Sequence, residues 1–329
     1  TVHEDASGEC TGTMSRSDSA FTMSLMTSNL RGKKKRDCWK TNSKMILLYF
    51  AAESFTITLG AQMKAMHNLR LVAADIFEDV CKYPEELEVA LPQRLQTSMA
   101  LYTNNLSGLV LLTDDDLSHH QSSNMAKEFN NLCNSATEFH FPSFEQQVES
   151  LRNEYLEPAI AWRLEYTRNQ YQPESLDQQR SCTPAPTDRL KPGDFYVTNH
   201  SNLKDVHVVF HMKKSTDLSD GNINSRHLCV MGLRHVLKSA VMNSVSTLTV
   251  PLLLSHTMEE NMTVAWCMKR AELVYKCMKG FLMEVTSWGG SELTVQFLVP
   301  KDISKDVFSR LSLMLPSIFR ISNPIRVTQ

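Results

Sequence analysis

STLTVPLLLSHTMEENMTVAWCMKRAELVYKCMKGFLMEVTSWGGSELTVQFLVP (residues 246–300) reads as strand, loop, long helix and strand. Leu and β-branched residues over 246–250 run into Pro251 and three leucines, the pattern of a buried strand reaching its end. A polar loop, Ser255 to Met262, follows. Cys267, Ala271, Val274, Met278, Phe281 and Val285 then recur at steps of four and three, which puts one side of a helix on a core. Lys269, Glu272, Lys276 and Lys279 mark the opposite, solvated side. Trp288, Gly289 and Gly290 stop the helix, because glycine tolerates the backbone angles of a helix C-terminus. Residues 293–299 make the second strand. Strand, crossover helix and strand form a βαβ unit, which belongs in a parallel sheet.

Working outward, PheTyrValThr (195–198) and ValHisValValPheHis (206–211) are strand candidates separated by a turn at 201–203. Leu228, Met231, Leu233, Val236, Leu237 and Val241 predict a helix leading into the quoted stretch. Past Pro300, Ser304 is placed to cap a last helix carrying Val307, Leu311, Met314, Leu315 and Ile318, bent at Pro316. The alternation of strands and helices predicts an α/β domain over 193–329, with a parallel or mixed sheet and flanking helices.

The first half reads differently. Phe55, Leu59, Met63, Met66, Leu69, Ala73, Ile76 and Val80 follow a three-and-four pattern that predicts a long helix ending before Pro84. A second helix is expected from Pro92, with Leu95, Met99, Tyr102, Leu106 and Leu109 on one face and its end, 109–112, buried. Two shorter helices are expected around Met125–Leu132 and Phe144–Tyr155. The predicted organisation is therefore an ill-defined segment over 1–52, a helical module over 53–169, a Pro-rich linker over 170–192 and the α/β domain. The basic run Lys33-Lys34-Lys35-Arg36 falls in the first segment and reads as a solvated tail. The chain begins with Thr rather than Met, so a fragment is expected.

With 34 Lys and Arg against 36 Asp and Glu, the net charge of -2 gives no global pull toward nucleic acid or anionic membrane. The apolar run at 45–52 is far shorter than the ~20 residues of a spanning helix, so no membrane insertion is expected. Eight cysteines are scattered without a CxxC pair and read as reduced thiols. GxxxxGK[ST], GxGxxG after a strand, HExxH and GxSxG do not occur.

Ser255, His256, Thr257, Glu259 and Glu260 lie where an α/β fold binds ligands and include acid–base groups. Thr257 with Glu260 also fits a helix-capping box, and no glycine falls between Ser244 and Gly280 to let backbone amides approach a phosphate. His207 and His211 share a strand face, and His119-His120 follow three aspartates, but neither pair has a third ligand at regular spacing. Arg234, Lys269, Arg270 and Lys276 read as a basic but solvated surface. No catalytic residue, metal ligand or cofactor is predicted. The exposed helix face of Lys269, Glu272 and Lys276 is the expected interaction surface.

Longer runs carry a resemblance. ESFTI (53–57), LGAQ (59–62), MHNLRL (66–71), SGLVLL (107–112) and EFHFP (138–142) are followed by GDFYVT (193–198), HSNL (200–203), PLLL (251–254), RAELVYKC (270–277) and TVQFLVP (294–300). In this order they resemble the family of the third subunit of the FERRY complex, from about Glu53 to Arg320. The resemblance implies a non-enzymatic subunit of a Rab GTPase effector complex linking early endosomes to messenger RNA. Its partners would be the other FERRY subunits, with the Rab GTPase and mRNA reached through the complex. The implied place is the cytoplasm, peripheral on early endosomes. A weaker likeness, in element order, is to macro domains, which bind ADP-ribose. Where those carry a glycine turn for phosphate, this chain reads LLLSHT, so the cradle is expected to be lost. ADP-ribose or nucleotide binding, and direct RNA binding, are the rival expectations.

Overall fold

The computed structural model describes residues 52–59, 65–85, 87–114, 124–156, 190–289 and 292–320. The expectations at 1–51, at His119-His120 and over most of 170–192 lie outside them. The strands are β1 (Ala52–Leu59), β2 (Ala65–Ala73), β3 (Leu106–Thr113), β4 (Phe195–Leu203), β5 (Val206–Lys213), β6 (Val245–Pro251) and β7 (Leu293–Val299). The helices are α1 (Leu87–Ala100), α2 (Asn124–Ser135), α3 (Phe144–Leu151), α4 (Leu228–Met242), α5 (Val264–Ser287) and α6 (Lys305–Phe319).

All seven strands form one mixed sheet in the order β1-β2-β7-β6-β3-β5-β4. The inner five run parallel, and β1 and β4 pair antiparallel at the two edges. The quoted stretch is β6-α5-β7, two adjacent parallel strands with their crossover helix, as predicted. Helices α4, α5 and α6 cover one face, packed on Leu69, Leu71, Leu248, Val250, Val295 and Phe297. On the other face α2, α3 and the turn at Ile76–Cys81 pack on Leu109, Leu111, Val209 and Leu298.

The first half departs from the expected helical module. Residues 52–59 and 65–73 are two antiparallel strands, and β3 follows α1 where one continuous helix was expected. Phe55, Ile57 and Leu59, then His67, Leu69, Leu71 and Ala73, are buried at a period of two. Positions four apart, such as Phe55 and Leu59, satisfy both periods, and the buried polar His67 broke the alternation in the sequence. SerAsnLeu (201–203), expected as a turn, continues β4.

Two glycines separate packing from propensity. Gly232 on α4 lies so close to the 191–194 turn that a Cβ would sit 2.6 Å from the Gly193 carbonyl oxygen and 2.7 Å from Met212 Sδ. Gly280 on α5 faces open space. Gly232→Ala should therefore destabilise the fold by roughly 1–3 kcal/mol through overpacking. Gly280→Ala should stabilise it by about 1 kcal/mol through helix propensity. Urea unfolding of the two variants checks both signs.

Candidate functional site

The carboxyl ends of the parallel strands form the crest where an α/β fold binds ligands. Here the crest is filled from within. Leu252, Leu253 and Leu254 are all buried, Leu252 N–H donates to the Leu298 carbonyl (2.9 Å), and Leu254 N–H turns back to Pro251 (3.1 Å). Beneath them lies Arg270 of α5, 2% exposed. Its guanidinium donates to the carbonyls of Leu253 (3.2 Å), Leu218 (2.8 Å) and Asp220 (2.8 Å) and stacks 4.3 Å over the Trp266 ring. Trp266 Nε1–H donates to Ser219 (3.1 Å), and Lys269 Nζ donates to Asn222 Oδ1 (2.7 Å). Three side chains spaced along the first turns of one helix thus tie down the loop after β5, and Arg270 ties the loop after β6 to it. Burial lowers the Arg270 pKa to about 10, so the group stays charged near neutral pH.

The loop residues with acid–base chemistry are placed structurally. His256 Nε2 accepts the Leu112 N–H (2.9 Å), which puts the ring proton on Nδ1, buried without a partner. Burial, with Lys214 adding to it, lowers the His256 pKa to about 4. Ser255 and Thr257 bond to each other in a tight turn. The capping box expected at Thr257 and Glu260 does not form, because α5 starts later, at Val264. Its cap is Thr263, whose hydroxyl accepts the Trp266 N–H (3.2 Å).

The strand histidines are likewise satisfied by neighbours. His207 Nδ1 accepts the Ser107 N–H (3.0 Å), so Nε2 carries the proton and donates to the Thr97 carbonyl (3.0 Å). The Thr198 hydroxyl sits 2.8 Å from both His200 Nε2 and His211 Nε2, donating to one ring and accepting from the other. Tyr196 stacks on His211 at 4.5 Å, and Phe129 meets both imidazoles edge-on. Burial lowers the His200 pKa to about 4 and pushes that of His211 well below its usual value, so both are neutral near pH 7. Thr198 and His200 of β4 were not singled out in the sequence, where they count only as members of the runs GDFYVT and HSNL.

Of the expected surface residues, Lys269, Glu272 and Lys276 are all exposed on α5. Glu272 and Lys276 pair with each other one turn apart, and Lys269 is engaged with Asn222. Arg270 does not join them: it is the buried crest residue. Arg234 pairs with Glu284 across a groove of about 120 Å³ between α4 and α5, where Lys238 lies 5.1 Å over Trp288. The expected basic surface is therefore divided among ion pairs and the core.

A family model described as "Ferry endosomal RAB5 effector complex subunit 3" matches residues 2–325. The chain belongs to that family. The human subunit 3 is 43% identical over 290 residues, covering 84% of this chain and 50% of the relative. The mouse protein is 42% identical over the same length and with the same coverage. The chain thus spans about half the length of these relatives. Among solved structures it is similar to a mutant of the Oceanobacillus iheyensis macrodomain, at a TM-score of 0.43 and 11% identity, covering 81% of this chain and 98% of that one. The same macrodomain with MES bound gives 0.41 and 10%, over 81% and 99%. In this chain the runs PLLL (251–254) and RAELVYKC (270–277) hold the filled crest and its arginine.

Arg270→Met should lower stability by roughly 1–3 kcal/mol for each carbonyl left without its donor, whereas exposed Lys269→Ala should cost under about 0.5 kcal/mol. Chemical denaturation distinguishes them. The buried histidines also fix a pH dependence. Their folded pKa lies below the unfolded 6.5, so the unfolded state binds more protons between those values. Stability should be complete above about pH 6.5 and fall as the pH drops toward 4, by about 3 kcal/mol for His200 alone, as read from urea midpoints across that range.

Proposed function

We propose that the chain is a non-catalytic assembly subunit of a Rab GTPase effector complex, holding the other FERRY subunits on its surfaces. Through the complex it would link early endosomes to messenger RNA, from the cytoplasmic side and peripherally on the membrane. Among the described residues no helix is long and apolar enough to cross a bilayer.

The observation that carries this reading is the inverted helix α1. Among its described side chains Ala90, Gln93 and Thr97 are the buried positions, and Gln93 Oε1 has no hydrogen-bond partner among the described residues. Leu91, Leu95 and Met99 are 59, 63 and 60% exposed, and Tyr102 in the following turn is 79% exposed. Spacings of four, four and three align these side chains as one ridge along the helix. A helix that presents its leucines to water forgoes their burial in isolation and gains it when a neighbour covers the ridge. Phe139, beside the His140 that Tyr102 touches, is 83% exposed and adds to the apolar surface. The face of Lys269, Glu272 and Lys276 on α5 is proposed as a second, charged contact.

The filled crest supports the non-catalytic part of the reading, since a ligand there would have to displace three buried leucines and a triply bonded arginine. The test is co-purification from cells. The tagged chain should recover other subunits of the complex, and Leu91→Glu with Leu95→Glu should reduce recovery at least tenfold, as expected for apolar anchors at an interface. The thermal midpoint should not fall, because both residues are exposed. Equal recovery by the variant would remove α1 from the interface, and recovery of no subunit by the parent would remove the assembly role.

A further inference from the structure

The two edges of the sheet are treated differently. At β4 the outer edge is closed by side chains. Gln147 of α3 donates from Nε2 to the Asn199 carbonyl (2.8 Å) and accepts the Asn199 N–H at Oε1 (2.8 Å), so its amide stands in for a neighbouring strand. The Glu138 carboxylate accepts the N–H groups of Ser201 (2.6 Å) and Asn202 (3.2 Å), and the ladder shifts register between Asn199 and Leu203. These are the devices that stop a strand edge from recruiting another chain.

Among the described residues, none of them is found at β1. All eight of its residues pair with β2 without a register shift, and Ser54 to Leu59 contains no charge, proline or glycine. The one charged residue, Glu53, is turned aside onto the Ser312 hydroxyl of α6. In an antiparallel pair alternate residues direct their N–H and C=O away from the partner strand. Those groups on β1 have no partner among the described residues. Phe55, Ile57 and Leu59 point into the core, while Ser54, Thr56 and Thr58 are exposed on the other face. Next to Ser312, Leu313 of α6 is 54% exposed.

We propose that the outer edge of β1 receives an extended segment of another subunit of the complex as an eighth strand of the sheet. The ladder of backbone groups specifies an extended occupant. The two faces of β1 specify its side chains: an apolar set continuing the row of Phe55, Ile57 and Leu59 over α6, alternating with small polar residues beside Thr56 and Thr58. A cationic side chain on that face would be repelled by Arg70, exposed on β2 opposite Ser54, so the polar set carries no Lys or Arg over roughly six residues. This inference rests on the reading of the chain as an assembly subunit.

Hydrogen exchange of the chain alone and of the co-purified complex tests it. Every second amide of β1 should exchange freely in the isolated chain and slow by about 100-fold or more in the complex. Thr56→Lys with Thr58→Lys should abolish that slowing and leave the thermal midpoint of the isolated chain unchanged, since both side chains are exposed. Recovery of the other subunits with β1 still exchanging freely would overturn the inference and leave the assembly role standing. Slow exchange already present in the isolated chain would overturn it in favour of a segment of the same chain if independent of concentration. It would overturn it in favour of a second copy if protection grows with concentration. Failure to recover any subunit would overturn both readings.

Discussion

The parallel pairing of β2 with β7 joins residues more than 220 positions apart, His67 with Leu293 through Ala73 with Val299, and the remaining architecture depends on it. Without it the β1-β2 hairpin has no attachment to the sheet, and β7 becomes an edge. The pairing is fixed at one end by His67. Its Nδ1 accepts the Leu293 N–H (3.3 Å), which leaves Nε2 to donate to the Thr286 hydroxyl (2.9 Å), and that hydroxyl donates to Leu282 (2.8 Å) in α5. A polar residue in the middle of an apolar face thus sets strand register and helix position together. Loop closure over so many residues carries an entropic cost that only a large shared core offsets. That core is the α4–α6 face, to which β1, β2 and β7 all contribute.

Arg270 plays the corresponding part at the crest. A buried cation bonded to three carbonyls and one aromatic face exchanges a ligand-accessible loop for a fixed one. The chemistry that could have been there is used structurally: His256 holds β3, Thr263 caps α5, and the leucines exclude water. Among the described residues, the outward features are an inverted helix at one side of the sheet and an uncovered strand edge at the other. Both would gain free energy on being covered, which is the physical basis of the assembly role proposed above.

The second half was legible because each element carried its own signal. The βαβ stretch had apolar runs bounded by Pro251, Gly289 and Pro300, and Ser304 announced the last helix by its position, with its hydroxyl accepting the Val307 N–H (3.3 Å). In the first half α2 and α3 fall where two short helices were expected, but the hairpin strands and the face of α1 were not legible, for two reasons that are both tertiary. In the hairpin, His67 occupies a core position that only its bonds to Thr286 and Leu293 make tolerable, so the alternation looked broken. In α1 the pattern aligned Leu95 and Met99 as one apolar face, whereas the buried side takes Gln93 and Thr97. Periodicity identifies an apolar stripe but not whether the chain's own core or another surface covers it. Arg270 was lost among Lys269 and Lys276 for a related reason, since charge pattern does not reveal which cation turns inward.

Both halves of the chain build one sheet, with β3 of the first half lying between β5 and β6 of the second. Expressing residues 1–169 and 170–329 separately and together tests it most directly. Each piece alone should fail to show a cooperative thermal transition, because the second lacks its central strand and the first lacks every partner of β2 and β3 beyond the hairpin. Co-expressed, the pieces should co-elute and melt in a single transition. Two pieces that each melt cooperatively alone and do not associate would contradict the account.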